Sequence, residues 1–190
     1  MAFSLNPDPV PRIAFVRATL LVPRVSLARR AFLVGALISL AGAAAVRPDI
    51  PIDDFERETW GEFWSPEGTA FGDGPTGRTF PGQRPVRSFT GTRFANSFGA
   101  GDAEVGSLTS KPFRLERDYL NFRIGGGRKD GKTGVELLVD GVVARRATGH
   151  ACEGGDSEHL RAETWDVRDF VGREVVLIIH DRATGDWGHI

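Results

Sequence analysis

Apolar and polar residues alternate along much of this chain, with a period of two rather than 3.6. Leu120, Phe122 and Ile124 alternate with Asn121 and Arg123, the pattern of a half-buried strand. Leu137 and Val139 begin a second alternation, which Val142-Val143-Ala144 continues. Asp140-Gly141 lies between the two runs. A type I′ turn needs positive φ at both central residues, so this dipeptide predicts a hairpin. The run Glu174–Asp181, EVVLIIHD, is the most apolar stretch after the first 46 residues and predicts a central strand.

Shorter runs fill the rest. Thr59-Trp60, Phe63-Trp64 and Thr69-Ala70-Phe71 are apolar pieces, and Phe89, Phe94 and Phe98 can face a core. Val105 to Leu108, Phe113 to Leu115 and Leu160 to Val167 read as strands. Residues 72–85 are dense in Gly and Pro, and residues 99–102 and 150–159 are polar or glycine-rich, so these predict loops. About ten short strands, with turn signals roughly every 8–12 residues, predict an all-β, antiparallel sandwich or jelly roll. No internal repeat or low-complexity tract is present.

Residues 28–46, ARRAFLVGALISLAGAAAV, break the pattern. Two arginines precede an apolar run that ends in small residues, the layout of a cleavable export signal. The run is short for a membrane span, which needs about 20 apolar residues. Arg29-Arg30-Ala31-Phe32-Leu33 resembles the twin-arginine export signal, with Ala28 in place of the usual Ser or Thr. Residues 1–24 carry four prolines and are expected to be disordered. The predicted organisation is therefore 1–46 disordered segment plus signal, 47–52 linker, and 53–190 β-sandwich. Export places the chain in the periplasm or outside the cell.

Charge sharpens this division. Residues 1–46 carry five Arg and one Asp, a net +4, while the remainder carries 19 basic and 24 acidic residues, a net −5. A mildly acidic domain lacks the basic patch that nucleic acid requires. The single Cys152 cannot form an intrachain disulfide.

Ten short motifs, in order, resemble a known module. They include Asp54-Phe55-Glu56, Gly68-Thr69-Ala70-Phe71-Gly72, Asn96-Ser97-Phe98, Tyr119-Leu120-Asn121-Phe122, Ile124-Gly125-Gly126-Gly127, Leu138-Val139-Asp140-Gly141, Trp165-Asp166-Val167 and Trp187-Gly188-His189-Ile190. Together they are similar to the non-catalytic β-sandwich that accompanies levanases and other family 32 glycoside hydrolases. The resemblance covers residues 53–190. It implies a galactose-binding-like jelly roll and a carbohydrate-binding or accessory role. Its partner would be a fructan-like glycan or a neighbouring hydrolase domain, and the membrane would be met only through the leader. The family's pattern continues past Trp-Gly-His-Ile into a last strand, whereas this chain stops at Ile190. The family's hydrolase motifs are absent, so the chain is expected not to be an enzyme and to be a fragment of a longer protein.

The residues themselves point to little chemistry. Gly125-Gly126-Gly127 is followed by a strand, not by the helix N-terminus and Lys-Ser/Thr of a phosphate loop. No cofactor is expected, and the loop carboxylates leave a structural Ca²⁺ as the one metal open to the chain. The four His do not have zinc-ligand spacing. No nucleophile-elbow or activated-thiol context surrounds Ser97, Ser110 or Cys152. The four Trp could stack on sugar rings or fill the core. Trp64 and Trp187, beside Ser-Pro and Gly, are expected to be the exposed pair. Candidate ligand contacts are Trp64, Asp102, Arg123, Trp187 and His189, with no catalytic residue assigned. Two alternatives stay open: a glycoside hydrolase in its own right, and a structural or protein-interaction sandwich of an envelope complex.

Overall fold

In a computed structural model, which describes residues 3–6, 47–99, 101–150 and 157–190, ten strands form two antiparallel sheets. The strands are β1 (Phe3–Asn6), β2 (Ile50–Asp53), β3 (Trp64–Gly68), β4 (Gly106–Ser110) and β5 (Phe113–Arg114). They continue with β6 (Tyr119–Gly126), β7 (Thr133–Val139), β8 (Val142–Ala147), β9 (Ser157–Asp166) and β10 (Glu174–Asp181). One sheet has the order β2-β1-β6-β9. The other has the order β3-β4-β10-β7-β8, with β5 also paired to β10. Among the described residues the one helical piece is a 3₁₀ turn at Arg168–Phe170. No described helix is long and apolar enough to cross a membrane.

Strand period explains the core. Leu120, Phe122 and Ile124 point inward from β6, and Val175, Leu177 and Ile179 point inward from β10, all buried. Val135, Leu137 and Val139 from β7 and Trp165 from β9 complete the layer between the sheets. The predicted hairpin joins β7 to β8, with φ of 50° at Asp140 and 76° at Gly141. β10 pairs with β4, β5 and β7, so EVVLIIHD is central as its composition implied.

The first residues depart from expectation. Phe3–Asn6 is not a disordered tail but a strand inserted between β2 and β6. The cause is apolar alternation: Phe3 and Leu5 are buried, and the Phe3 ring lies 5.2 Å from Phe122, 6.0 Å from Trp64 and 6.1 Å from Phe55. The linker reading of residues 47–52 is also corrected from residue 50 onward. Ile50 and Ile52 pack on the core, and Pro51 is tolerated because β2 lies at the sheet edge, where a missing N–H costs no ladder bond. The export leader at residues 28–46 lies outside the described residues.

Candidate functional site

The C-terminal segment after β10 is locked down by backbone contacts. Ala183 N–H donates to Asp181 Oδ1, Gly185 N–H to the Asp102 carbonyl and Trp187 N–H to Asp102 Oδ2 at 3.0 Å. Gly127 N–H donates to the His189 carbonyl at 2.8 Å, and Ile190 N–H to Ser97 Oγ at 2.9 Å. The triple glycine makes this approach feasible. A Cβ on Gly127 would lie 1.9 Å from the Trp187 carbonyl oxygen, and one on Gly126 would lie 2.6 Å from the His189 carbonyl oxygen. Trp187 adopts φ of 57°, an uncommon conformation for a large residue, and this fixed bend presents its ring beside His189.

His189 is the centre of the cluster. Its Nδ1 lies 2.5 Å from Asp102 Oδ1 and its Nε2 lies 2.8 Å from Glu158 Oε1. A neutral imidazole has only one N–H, so facing carboxylates on both nitrogens select the doubly protonated ring. Burial works against that charge, but the hydrogen bonds to Glu158 and Asp102 outweigh it and raise the His189 pKa. Trp187 stacks on the imidazole at 5.5 Å and 21°, and Phe98 meets it edge-on at 4.9 Å. The Arg84 guanidinium lies 5.1 Å from the Trp187 ring centre. These groups wall a cavity of about 140 Å³. At the end of β10, Asp181 is buried, and desolvation raises its pKa to about 6.

Three of the five candidate residues, Asp102, Trp187 and His189, meet in this site. Trp64 does not: it is 2% exposed, its indole N–H donates to Asp53, and its ring stacks on Phe55 in the core. The Ser-Pro neighbours that suggested exposure lie on β3, an edge strand whose outer positions face solvent while Trp64 faces inward. Arg123 is also elsewhere, on β6, with its guanidinium donating to the Leu160 carbonyl. The residues sequence reasoning missed are Glu158, Phe98 and Arg84. Glu158 could have been found by extending the alternation at Leu160 back by two positions, which places it on β9 and on the same face. Cys152 lies outside the described residues. Among the described residues no group of three His, Cys, Asp or Glu is arranged to hold a metal ion.

A protein of Aspergillus rugulosus named "Putative glycosyl hydrolase ecdE" is 38% identical to this chain over 127 residues. The match covers 67% of this chain and 17% of that protein. The chain is related to a protein named for glycosyl hydrolysis. This corrects the expectation that the chain is not an enzyme: that expectation rested on the absence of one hydrolase family's motifs, whereas the relative that matches is itself named a "Putative glycosyl hydrolase". No family model matches the chain, and no solved structure matches it.

Proposed function

We propose that this chain engages carbohydrate as part of a glycoside hydrolase-type protein, with a sugar seated in the cavity formed by Trp187, His189, Asp102, Glu158 and Arg84. The observation that carries this reading is the His189 imidazolium, held between two carboxylates directly behind a tryptophan ring. A sugar unit offers hydroxyls that both donate and accept, together with an apolar ring face. Carboxylates and a guanidinium meet the first requirement with charge-assisted hydrogen bonds, and the aromatic ring meets the second. The resemblance to the sandwich that accompanies levanases makes fructan the first ligand to try. The relative's name supports a role alongside glycoside hydrolysis. Export through the leader at residues 28–46, left uncleaved so that β1 stays in the core, belongs to the same proposal and would bring the chain to polymeric glycan outside the cell.

The test is calorimetric titration of the full chain with inulin-derived oligosaccharides and a panel of other glycans, with release of reducing sugar measured in parallel. Binding that weakens at least about tenfold, roughly 1.4 kcal/mol, on both Trp187→Ala and Glu158→Gln is expected. Failure of every glycan to bind sinks the reading. Reducing-sugar release that vanishes in Glu158→Gln would make the cavity a hydrolytic site.

A further inference from the structure

A second, larger cavity lies beside the first. A groove of about 820 Å³ runs along the loop between Phe71 and Phe80 and ends against Thr92 and Gly99. Only a narrow rib separates it from the Trp187 cavity. Phe80 lines the groove while Gly82 and Arg84 line the cavity, and Gly99 lines the groove while its neighbour Phe98 lines the cavity. The two spaces are thus divided by residues adjacent or nearly adjacent in the chain.

The rib is rigidly held. Gln83 and Asn96 form a reciprocal amide pair, with Gln83 Nε2 donating to Asn96 Oδ1 at 3.2 Å and Asn96 Nδ2 donating to Gln83 Oε1 at 3.0 Å. Phe80 N–H donates to the same Gln83 Oε1, and Gln83 N–H donates back to the Phe80 carbonyl at 3.1 Å. Asn96 is buried, so the pair anchors an exposed loop to the body of the sandwich. Its tip is Pro81-Gly82, and Gly82 has φ of 88° and no side chain to raise the crest. On the groove side the Arg78 guanidinium lies 5.6 Å from the Phe80 ring centre. On the cavity side Arg84 lies over Trp187. An arginine thus meets an aromatic ring on each side of the rib: Arg78 over Phe80 in the groove, and Arg84 over Trp187 of the C-terminal segment in the cavity.

We infer that the groove and the cavity are neighbouring subsites of one extended glycan-binding face, so that the ligand is an oligosaccharide or polymer crossing the Phe80–Arg84 rib. The inference rests on the glycan reading of the Trp187 cavity. Two like-equipped spaces on either side of a pre-ordered loop suit a repeating ligand, because successive sugar units present the same ring faces and hydroxyls. Ordering the loop in advance also removes an entropic cost of binding. A single terminal sugar would use the cavity alone and leave the groove idle.

The experiment compares fructose, short inulin-derived oligosaccharides and longer ones on the full chain, using wild type, Phe80→Ala and Arg78→Ala. Affinity should rise at least about tenfold from the single sugar to the longer oligosaccharides. Each groove variant should erase most of that gain while leaving the affinity for fructose unchanged. Arg78 is exposed, so its variant keeps the test meaningful if Phe80→Ala impairs folding. Equal affinity for short and long ligands, or length dependence that survives both variants, overturns the inference and leaves the single-cavity reading standing. Loss of all binding, fructose included, in Arg78→Ala also overturns it, because the groove would then not be a separate subsite. If no glycan binds even to wild type, both readings fall.

Discussion

The indole N–H of Trp64 donates to Asp53 Oδ2 at 2.5 Å, tying β3 to the end of β2 inside the core. The same carboxylate accepts Phe55 N–H at 2.7 Å and the Arg57 Nη1 at 2.9 Å. One buried acid thus satisfies donors from three residues at the corner where the aromatic cluster of Phe3, Phe55 and Trp64 meets. Asp53→Ala should lower stability by about 2–4 kcal/mol, since it strands a buried indole and leaves the guanidinium without its main partner. Chemical denaturation measures this. Trp64→Ala should cost about 3–5 kcal/mol by cavity formation. A Trp64 variant that stays fully stable yet loses glycan binding would contradict the core assignment.

β1 allows a clean separation of two truncations. Excising residues 7–46 should preserve the sandwich, because Leu5 pairs with Ile50 and a short turn can connect the two strands. Deleting residues 1–46 removes Phe3 and Leu5 from the core and parts β2 from β6. Each buried side chain contributes about 1.5–3 kcal/mol, so this second deletion should yield a poorly cooperative or aggregating product. Circular dichroism melts of both products decide it. N-terminal sequencing of the natural protein adds a direct reading, since cleavage at the end of the leader would release β1.

Gly127→Ala tests whether the glycine run builds the site. Its Cβ would collide with the Trp187 backbone, which cannot swing aside as a flexible side chain can. The expected result is a changed tryptophan fluorescence spectrum, weaker glycan binding and a stability loss of more than about 2 kcal/mol. Gly131→Ala serves as a control for loop substitution. No atom stands within 4 Å of its Cβ position, though its φ of 71° makes the change mildly strained.

Two buried groups contribute stability that is lost as pH rises from acid towards neutral. Asp181 has its pKa raised to about 6, so the native state holds a proton that the unfolded chain releases near pH 4. Stability is therefore lost as pH rises across that window, by about 2–3 kcal/mol. His189 works in the same direction. Its raised pKa adds stability that is complete below the unfolded value near pH 6.5 and is lost as pH rises through the folded value. Together they pull the melting temperature down as pH rises from about 4, against His180, whose pKa burial lowers and whose contribution is lost as pH falls. Asp181→Asn should flatten the lower part of the profile and His189→Gln the upper part. An Asp181→Asn or His189→Gln profile that keeps the wild-type slope in its own range would contradict that residue's assignment.

Much of the fold was legible because β-sheet burial has a period that sequence shows directly. β6, β7, β8 and β10, and the Asp140-Gly141 turn, follow from alternation and backbone preference alone. β1 was not legible, since four residues followed by prolines and an apolar leader offer too short an alternation to stand out. Half of the site was visible as well. Asp102, Trp187 and His189 sit in motifs rich in Gly and aromatic residues, but Glu158, on β9, meets His189, 31 residues further along the chain, only through the tertiary fold. Trp64 misled because local composition reports which residues flank a side chain, whereas the pleat decides which way it faces.

β1 runs antiparallel to β6, with Ser4 opposite Asn121 and Asn6 opposite Tyr119, so its leading end points toward Gly126. Ile190 lies against that same glycine. Phe3 packs against Phe122, so the gap along the strand is about four residues, or roughly 13 Å. The described chain therefore comes close to biting its own tail. A gene reopened between residues 7 and 46, with Ile190 joined to residue 2 by a few glycines, would encode the same sandwich read from a different starting point.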